Sequence, residues 1–174
     1  MHITDSCRTT AGAVGVILVC AGALTACMSD PAGEEFTLAG GTTVQVQPPS
    51  GWQAREADGT VLLTPKGDDR DLAGLTDALT SAQLGSSSRG ANFLTITTVG
   101  RCGGDGSWLW STTVRTSSGV QSGEVRGKAG DRCVAVHASY AQGGGDDSAN
   151  GAETGPPSVD LLGKVVDGDI VSID

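Results

Sequence analysis

Short segments of alternating apolar and polar residues, divided by turn-forming dipeptides, fill most of the chain from Thr43 onward. They restrict it to folds built on an antiparallel sheet, because period-two alternation puts one face of each segment into a core. In Thr43–Gln47, Val44 and Val46 share one face and the polar residues the other. Pro48-Pro49-Ser50-Gly51 breaks that strand and Trp52 begins a second, which turns at Asp58-Gly59 into Thr60–Thr64. An Asp-Gly pair between two such segments is a strong hairpin signal. Further on, Phe93–Val99 is apolar and β-branched, and Ser107–Arg115 alternates with Trp108, Trp110, Thr112 and Val114 on one face. Ser117-Ser118-Gly119 turns into Val120–Arg126, and Gly127–Asp131 turns into Cys133–Tyr140. Such short connections predict an antiparallel meander. In Cys133–Tyr140, Val134, Val136 and Ala138 face opposite to Cys133, Ala135 and His137, and either face could be the buried one.

The period changes once, after the charged loop Pro65–Arg70. Leu72, Leu75, Leu79 and Ala82 recur at helical spacing and Gly85 suits a C-terminal cap, so a helix is predicted over about Asp71–Leu84. Near the end of the chain, Ser158 reads as the N-cap of a short helix through Leu161, Leu162, Val165 and Val166. Gly168 ends it, and Asp169–Ile173 could add a final strand. The fold class is therefore α+β: an antiparallel sheet of about six to seven strands, a hairpin followed by a meander, covered by two helices. The Gly-rich stretch 141–157 reads as a mobile, solvated loop within it.

Ahead of this domain, Ala11–Ala26 is apolar without a single charge, but its 16 residues fall short of the ~20 that a spanning helix needs. The length suits a cleaved signal peptide over residues 1–26. The run closes on Leu24-Thr25-Ala26-Cys27, which resembles the lipobox of bacterial lipoproteins. Ordinary signal cleavage could use Ala21-Gly22-Ala23, whereas cleavage directly before Cys27 would put Leu24 at −3, which the lipoprotein peptidase prefers. The resemblance implies a diacylglyceryl thioether on Cys27, and two acyl chains meet the requirement for stable anchoring. It places the protein at the cell membrane, on the extracytoplasmic face. Residues 27–41, with Phe36 and Leu38 their only sizeable apolar side chains, read as a flexible tether, and residues 42–174 as a single domain.

Cys7 and Cys20 fall in the leader, so Cys102 and Cys133 are the only pair in the body. In an exported protein such a pair is most simply a disulfide, closing a loop of 31 positions, with two buried free thiols as the other reading. The chain-entropy model gives such a crosslink roughly 3–4 kcal/mol. The formal net charge of −9 argues against nucleic acid and against adhesion to anionic headgroups, so membrane attachment would have to be covalent.

The chain carries none of the short motifs for zinc proteases, redox dithiols, serine hydrolases, dinucleotide folds or phosphate loops. Gly123–Lys128 lacks one residue for a P-loop, and Ala129 stands where Ser or Thr is required. No cofactor or metal is implied. His137, the single histidine of the mature part, reads as a strand residue at the core edge or surface rather than as a catalyst. Asp68, Asp69 and Asp71, and Asp146 with Asp147, match no calcium-loop spacing and read as solvated loop charge. Trp108 and Trp110 fall on one strand face, either as a binding platform together with His137 or as core residues in a chain with only 3% aromatics.

The element order, with Thr43–Gln47, Pro-Ser-Gly-Trp at Pro49–Trp52, the turn into Val61–Leu63, the helix, the meander and the closing helix, resembles the PsbP-like fold. It also resembles actinobacterial lipoproteins of the LpqN type, which join a lipobox to such a domain. The resemblance implies a binding or assembly factor rather than an enzyme, with a protein or envelope component as partner. The alternatives are a carrier holding a hydrophobic ligand between helix and sheet, and a hydrolase with an unmarked site.

Overall fold

The computed structural model describes residues 33–85, 90–100, 109–110, 114–115, 119–129, 132–143 and 155–173. Their strands are β1 (Glu34–Thr37), β2 (Thr43–Val46), β3 (Trp52–Ala57), β4 (Thr60–Pro65), β5 (Ala91–Val99), β6 (Leu109–Trp110), β7 (Val114–Arg115), β8 (Val120–Ala129), β9 (Arg132–Ala141) and β10 (Val171–Ile173). Helix α1 spans Leu72–Gln83, and a 3₁₀ turn at Ser158–Leu161 runs into the short helix α2, Leu162–Val166. The domain is α+β. Five antiparallel strands in the order β3-β4-β5-β9-β8 form the larger sheet, with β6 and β7 as two-residue pieces beside β8, and β1-β2-β10 form a smaller one.

The hairpin was legible from its turn. Asp58 and Gly59 both have positive φ, at 51° and 71°, the signature of a type I′ turn, and Ala57 pairs with Thr60. The meander holds across its short turns but not at its start. Consecutive pairing holds for β7-β8-β9, but the neighbour of β5 is β9, not the segment that follows β5 in sequence. β5 and β9 pair without interruption from Ala91↔Ala141 to Val99↔Cys133. A tight turn after Val99 would have forced local pairing; the longer connection to β6 leaves β5 free to take the more apolar β9.

β9 resolves the question of faces by burying nearly all of both. Val134, Val136 and Ala138 are fully buried, and so, within a few per cent, are Cys133 and Ala135 on the other side. On the first face they join Val61, Leu63, Leu94, Ile96 and Val125, covered by Val44 and Val46 of the small sheet and by Val159, Leu161, Leu162 and Val165. On the opposite face, α1 sets Leu75 against Leu62, Ala91 and Phe93. Asp71 caps α1, accepting the Gly74 N–H at 2.8 Å, and Gly85 follows its end with φ of 68°. Leu72, expected in the apolar stripe, is 36% exposed.

Two further expectations are overturned. The stretch read as a tether is folded from Gly33 onward: β1 pairs with β2, Phe36 opposite Val44, and Leu38 is buried. Phe36 and Leu38 are two residues apart, so one strand face carries both into the core, and this suffices to order a polar segment. The Ala39 N–H donates to the Gly59 carbonyl at 2.7 Å, and the Thr98 hydroxyl donates to the Ala39 carbonyl at 2.7 Å. Ser158 is not an N-cap. It is fully buried, its hydroxyl donates to the Ser139 carbonyl at 2.7 Å, and its N–H donates to Asn92 Oδ1 at 2.8 Å. Asn92 Nδ2 also donates to the Pro156 carbonyl at 3.1 Å, so one buried amide fastens the end of the Gly-rich stretch to β5. Residues 144–154 of that stretch lie outside the described residues.

Candidate functional site

Pro49-Ser50-Gly51-Trp52 is a tight turn in which the Trp52 N–H donates to the Pro49 carbonyl at 2.9 Å. Gly51, at its third position, has φ of 83°, a conformation that a type II turn reserves for glycine. The turn swings the chain from the small sheet to the large one, and the gap it leaves is a cleft of about 360 Å³. Gly33 and Glu34 at the start of β1 form one wall, and Trp52, Gln53 and Ala54 of β3 the other. The Pro48–Gly51 connection forms the floor, and Gln47 and Lys66 stand at its margin. A half-open cleft with two prolines, an indole and a few polar groups suits a partner's side chains better than a small molecule that needs enclosure.

The indole of Trp52 is 2% exposed, and its Nε1 has no hydrogen-bond partner among the described residues. Gly155 lies against it so closely that a Cβ there would sit 2.9 Å from Nε1. The indole is therefore held by packing within the core and against Gly155, with one N–H left unmatched among the described residues.

Beside the cleft, the loop between β4 and α1 contains a buried ion pair that the sequence reading assigned to solvent. Asp68 is 3% exposed. Its carboxylate accepts from Arg70 Nε at 2.8 Å and Nη2 at 2.6 Å, a bidentate geometry, and from the Arg70 N–H at 3.2 Å. Burial pushes the Asp68 carboxyl pKa upward, but the hydrogen bonds and charge of Arg70, with the charge of Arg55, outweigh it and hold the group below its ordinary value. Arg70 is correspondingly raised, chiefly by its hydrogen bonds to Asp68. The Asp68 carbonyl accepts from Thr64 Oγ1 at 3.1 Å, Gln53 Nε2 at 3.2 Å and Arg55 Nη1 at 3.4 Å. Arg55 also donates to the Arg70 carbonyl, and Arg70 to the Gly90 carbonyl at 2.9 Å. With its oxygens occupied and its proton held off, Asp68 is a structural latch rather than a general acid or base.

Of the residues singled out from sequence, Cys27, Cys102 and Trp108 lie outside the described residues. Trp110 belongs to β6 and pairs with Val125. Cys133 is disulfide-bonded. His137 is half-buried on β9, directly between Thr95 of β5 and Glu124 of β8, and Glu124 is ion-paired with Arg126 at 2.6 Å. The structure does not bring His137 to the cleft, whose lining comes from other strands. Among the described residues no group of His, Cys, Asp or Glu is disposed to hold a metal, and no helix is long and apolar enough to cross a membrane.

The cleft was missed because its walls come from segments remote in sequence; the one local signal was the Pro-Ser-Gly-Trp turn. The latch was missed because three aspartates within four positions look alike until the fold selects one. No protein-family model, curated protein or solved structure matches the chain.

Proposed function

We propose that the chain is a lipid-anchored extracytoplasmic binding or accessory protein of the cell envelope, with a PsbP-like domain and no reaction of its own. The observation that carries this reading is the position of Cys27. It closes the apolar run of the leader and stands six residues before Gly33, the first described residue of the domain. An anchor on Cys27 would hold the cleft end of the domain toward the bilayer, since Gly33 lines that cleft. The PsbP-like reading rests on the order of elements and on the turn at Pro49–Trp52.

A binding role suits a half-open cleft of mixed polarity. A carrier would need an apolar space between α1 and the sheet, and there Leu62, Leu75, Ala91 and Phe93 fill the interface with their own side chains. A hydrolase centred on His137 would need a cleft at that position on β9.

The test is mass spectrometry and fractionation of the protein made in a bacterial host with a lipoprotein pathway. The expected result is a diacylglyceryl mass on Cys27 and release of Cys27→Ala from the membrane fraction. Membrane retention of Cys27→Ala would refute the anchor. Cross-linking in intact envelopes tests the partner: a specific protein supports the reading, and co-purified lipid without protein refutes it.

A further inference from the structure

Among the described residues no strand pairs with the outer edge of the large sheet beside the cleft, and its hydrogen-bonding phase follows from the hairpin. In a two-residue hairpin the residues flanking the turn exchange both backbone bonds, so Ala57 bonds Thr60, and bonding repeats at every second position. Arg55 and Gln53 thus point their peptide groups inward to Leu62 and Thr64. The Lys66 N–H, which donates to the Gly51 carbonyl at 2.8 Å, continues the same phase. The alternate residues, Trp52, Ala54 and Glu56, present theirs outward. The Trp52 N–H is used by its turn, which leaves the Trp52 carbonyl and both peptide groups of Ala54 and Glu56 unpaired among the described residues.

Among the described residues β3 lacks two of the usual protections of an edge strand, a bulge and a proline. The register runs from Trp52 to Ala57 without a bulge, and the strand contains no proline. The Arg55 guanidinium, which could have shielded the edge, is engaged by the Asp68 and Arg70 carbonyls. Around the edge, among the described residues, Glu34, Glu56 and Asp58 are exposed carboxylates against one exposed cation, Lys66.

We propose that β3 is a docking edge for an extended, basic segment of a partner protein, which adds as a strand beside Trp52–Ala57. The unpaired peptide groups require an extended backbone as their complement. The carboxylates require Lys or Arg at alternate positions of the incoming strand, opposite Glu56. The cleft, with Ala54 and Trp52 on its wall, receives the side chains at one end. The charge disfavours a second copy, which would bring Glu56 and Asp58 against another acidic chain. The inference rests on the reading of the domain as a protein-binding module and names the class of partner.

The test uses the full chain, ¹⁵N-labelled in a nonionic detergent, with acetyl-Lys-Val-Arg-Val-Lys-Val-amide as probe and acetyl-Glu-Val-Asp-Val-Glu-Val-amide as its counterpart. The expected result is shifts confined to Trp52–Ala57 and slowed solvent exchange at the Ala54 and Glu56 amides. Ala54→Pro removes an outward N–H without touching the β3–β4 ladder, so the fold persists while affinity falls at least tenfold. Glu56→Lys keeps the backbone, weakens the basic peptide at least tenfold and strengthens the acidic one. The proposal is overturned by no binding at millimolar peptide, by shifts elsewhere, by equal binding to Ala54→Pro, or by equal affinity for the acidic peptide. A self-dimer abolished by Ala54→Pro would assign the edge to a second copy and overturn it too. A partner cross-linked in envelopes through another face would remove the edge while leaving the protein-binding reading in place.

Discussion

Replacing Asp68 by Asn tests whether the latch beside the cleft contributes to stability. The substitution keeps the shape, removes the charge, and turns one acceptor oxygen into a donor facing the Nε and Nη2 donors of Arg70. Removing one partner of a fully buried ion pair costs about 3–5 kcal/mol. Arg70 keeps 22% of its side chain in water and retains the Gly90 carbonyl, so its orphaned charge is partly solvated. The expected loss is therefore about 2–3 kcal/mol at pH 7, just below that range. It is measured by urea denaturation of the chain from Met28 onward, followed by tryptophan fluorescence, with an unchanged m-value. In a cycle with Arg70→Met the double variant should recover at least ~1 kcal/mol of the summed losses, because no buried charge is then left unpaired. The pH dependence has a definite sign. The Asp68 carboxyl pKa is lowered in the fold, so the unfolded chain binds its proton more readily, and the stabilisation is complete above the unfolded value near ~3.9. It is lost as pH falls through the folded value. The gap between native and Asp68→Asn protein should be constant from pH 7 to 5 and close in acid. A loss under ~0.5 kcal/mol at pH 7, in the range of an exposed surface pair, would refute the reasoning, as would a gap that stays open in acid.

Five other substitutions, at four positions, have defined outcomes. Trp52→Phe removes the unpaired Nε1–H and should cost under ~1 kcal/mol, whereas Trp52→Ala should cost about 3–5 kcal/mol, both by denaturant titration. Asn92→Leu severs the bonds to the Ser158 N–H and the Pro156 carbonyl, and should cost about 2–3 kcal/mol, with faster amide exchange at Ser158. Gly59→Ala meets a positive φ of 71° and sets its Cβ 2.9 Å from the Ala39 N, so it should cost about 2 kcal/mol or more in thermal denaturation; Gly67→Ala, also at positive φ but with open space around it, should cost less.

What could be read from the chain was local in origin. Asp58-Gly59 specifies its own turn, and Asp71 with Leu75, Ala82 and Gly85 specifies a capped, one-faced helix. What could not be read depends on distant partners. Ala91–Val99 has equal reason to pair with any apolar strand, and only the whole sheet selects Cys133–Ala141. Phe36 and Leu38 carry a strand signal two residues long, which a polar composition conceals until Val44 and Val46 supply the opposing face. Asp68 differs from Asp69 only in that Arg70 folds back on it, with Arg55 reaching over from β3. The docking edge lay between these cases: its outward residues follow from the hairpin turn, but that β3 ends the sheet is a property of the assembled fold.

If Cys27 carries the proposed anchor, its separation in sequence from Gly33, which lines the cleft, sets a scale of length. Six steps of chain from Cys27 to Gly33, fully extended, reach about 20 Å. So anchored, the domain would travel with the bilayer and explore it by lateral diffusion, meeting proteins rooted in the same leaflet at high effective concentration. Anything fixed deeper in the envelope would stay beyond its range unless it extended a strand toward the membrane. Lengthening the chain between Cys27 and Gly33 would then change which neighbours the domain meets while leaving every contact within it untouched.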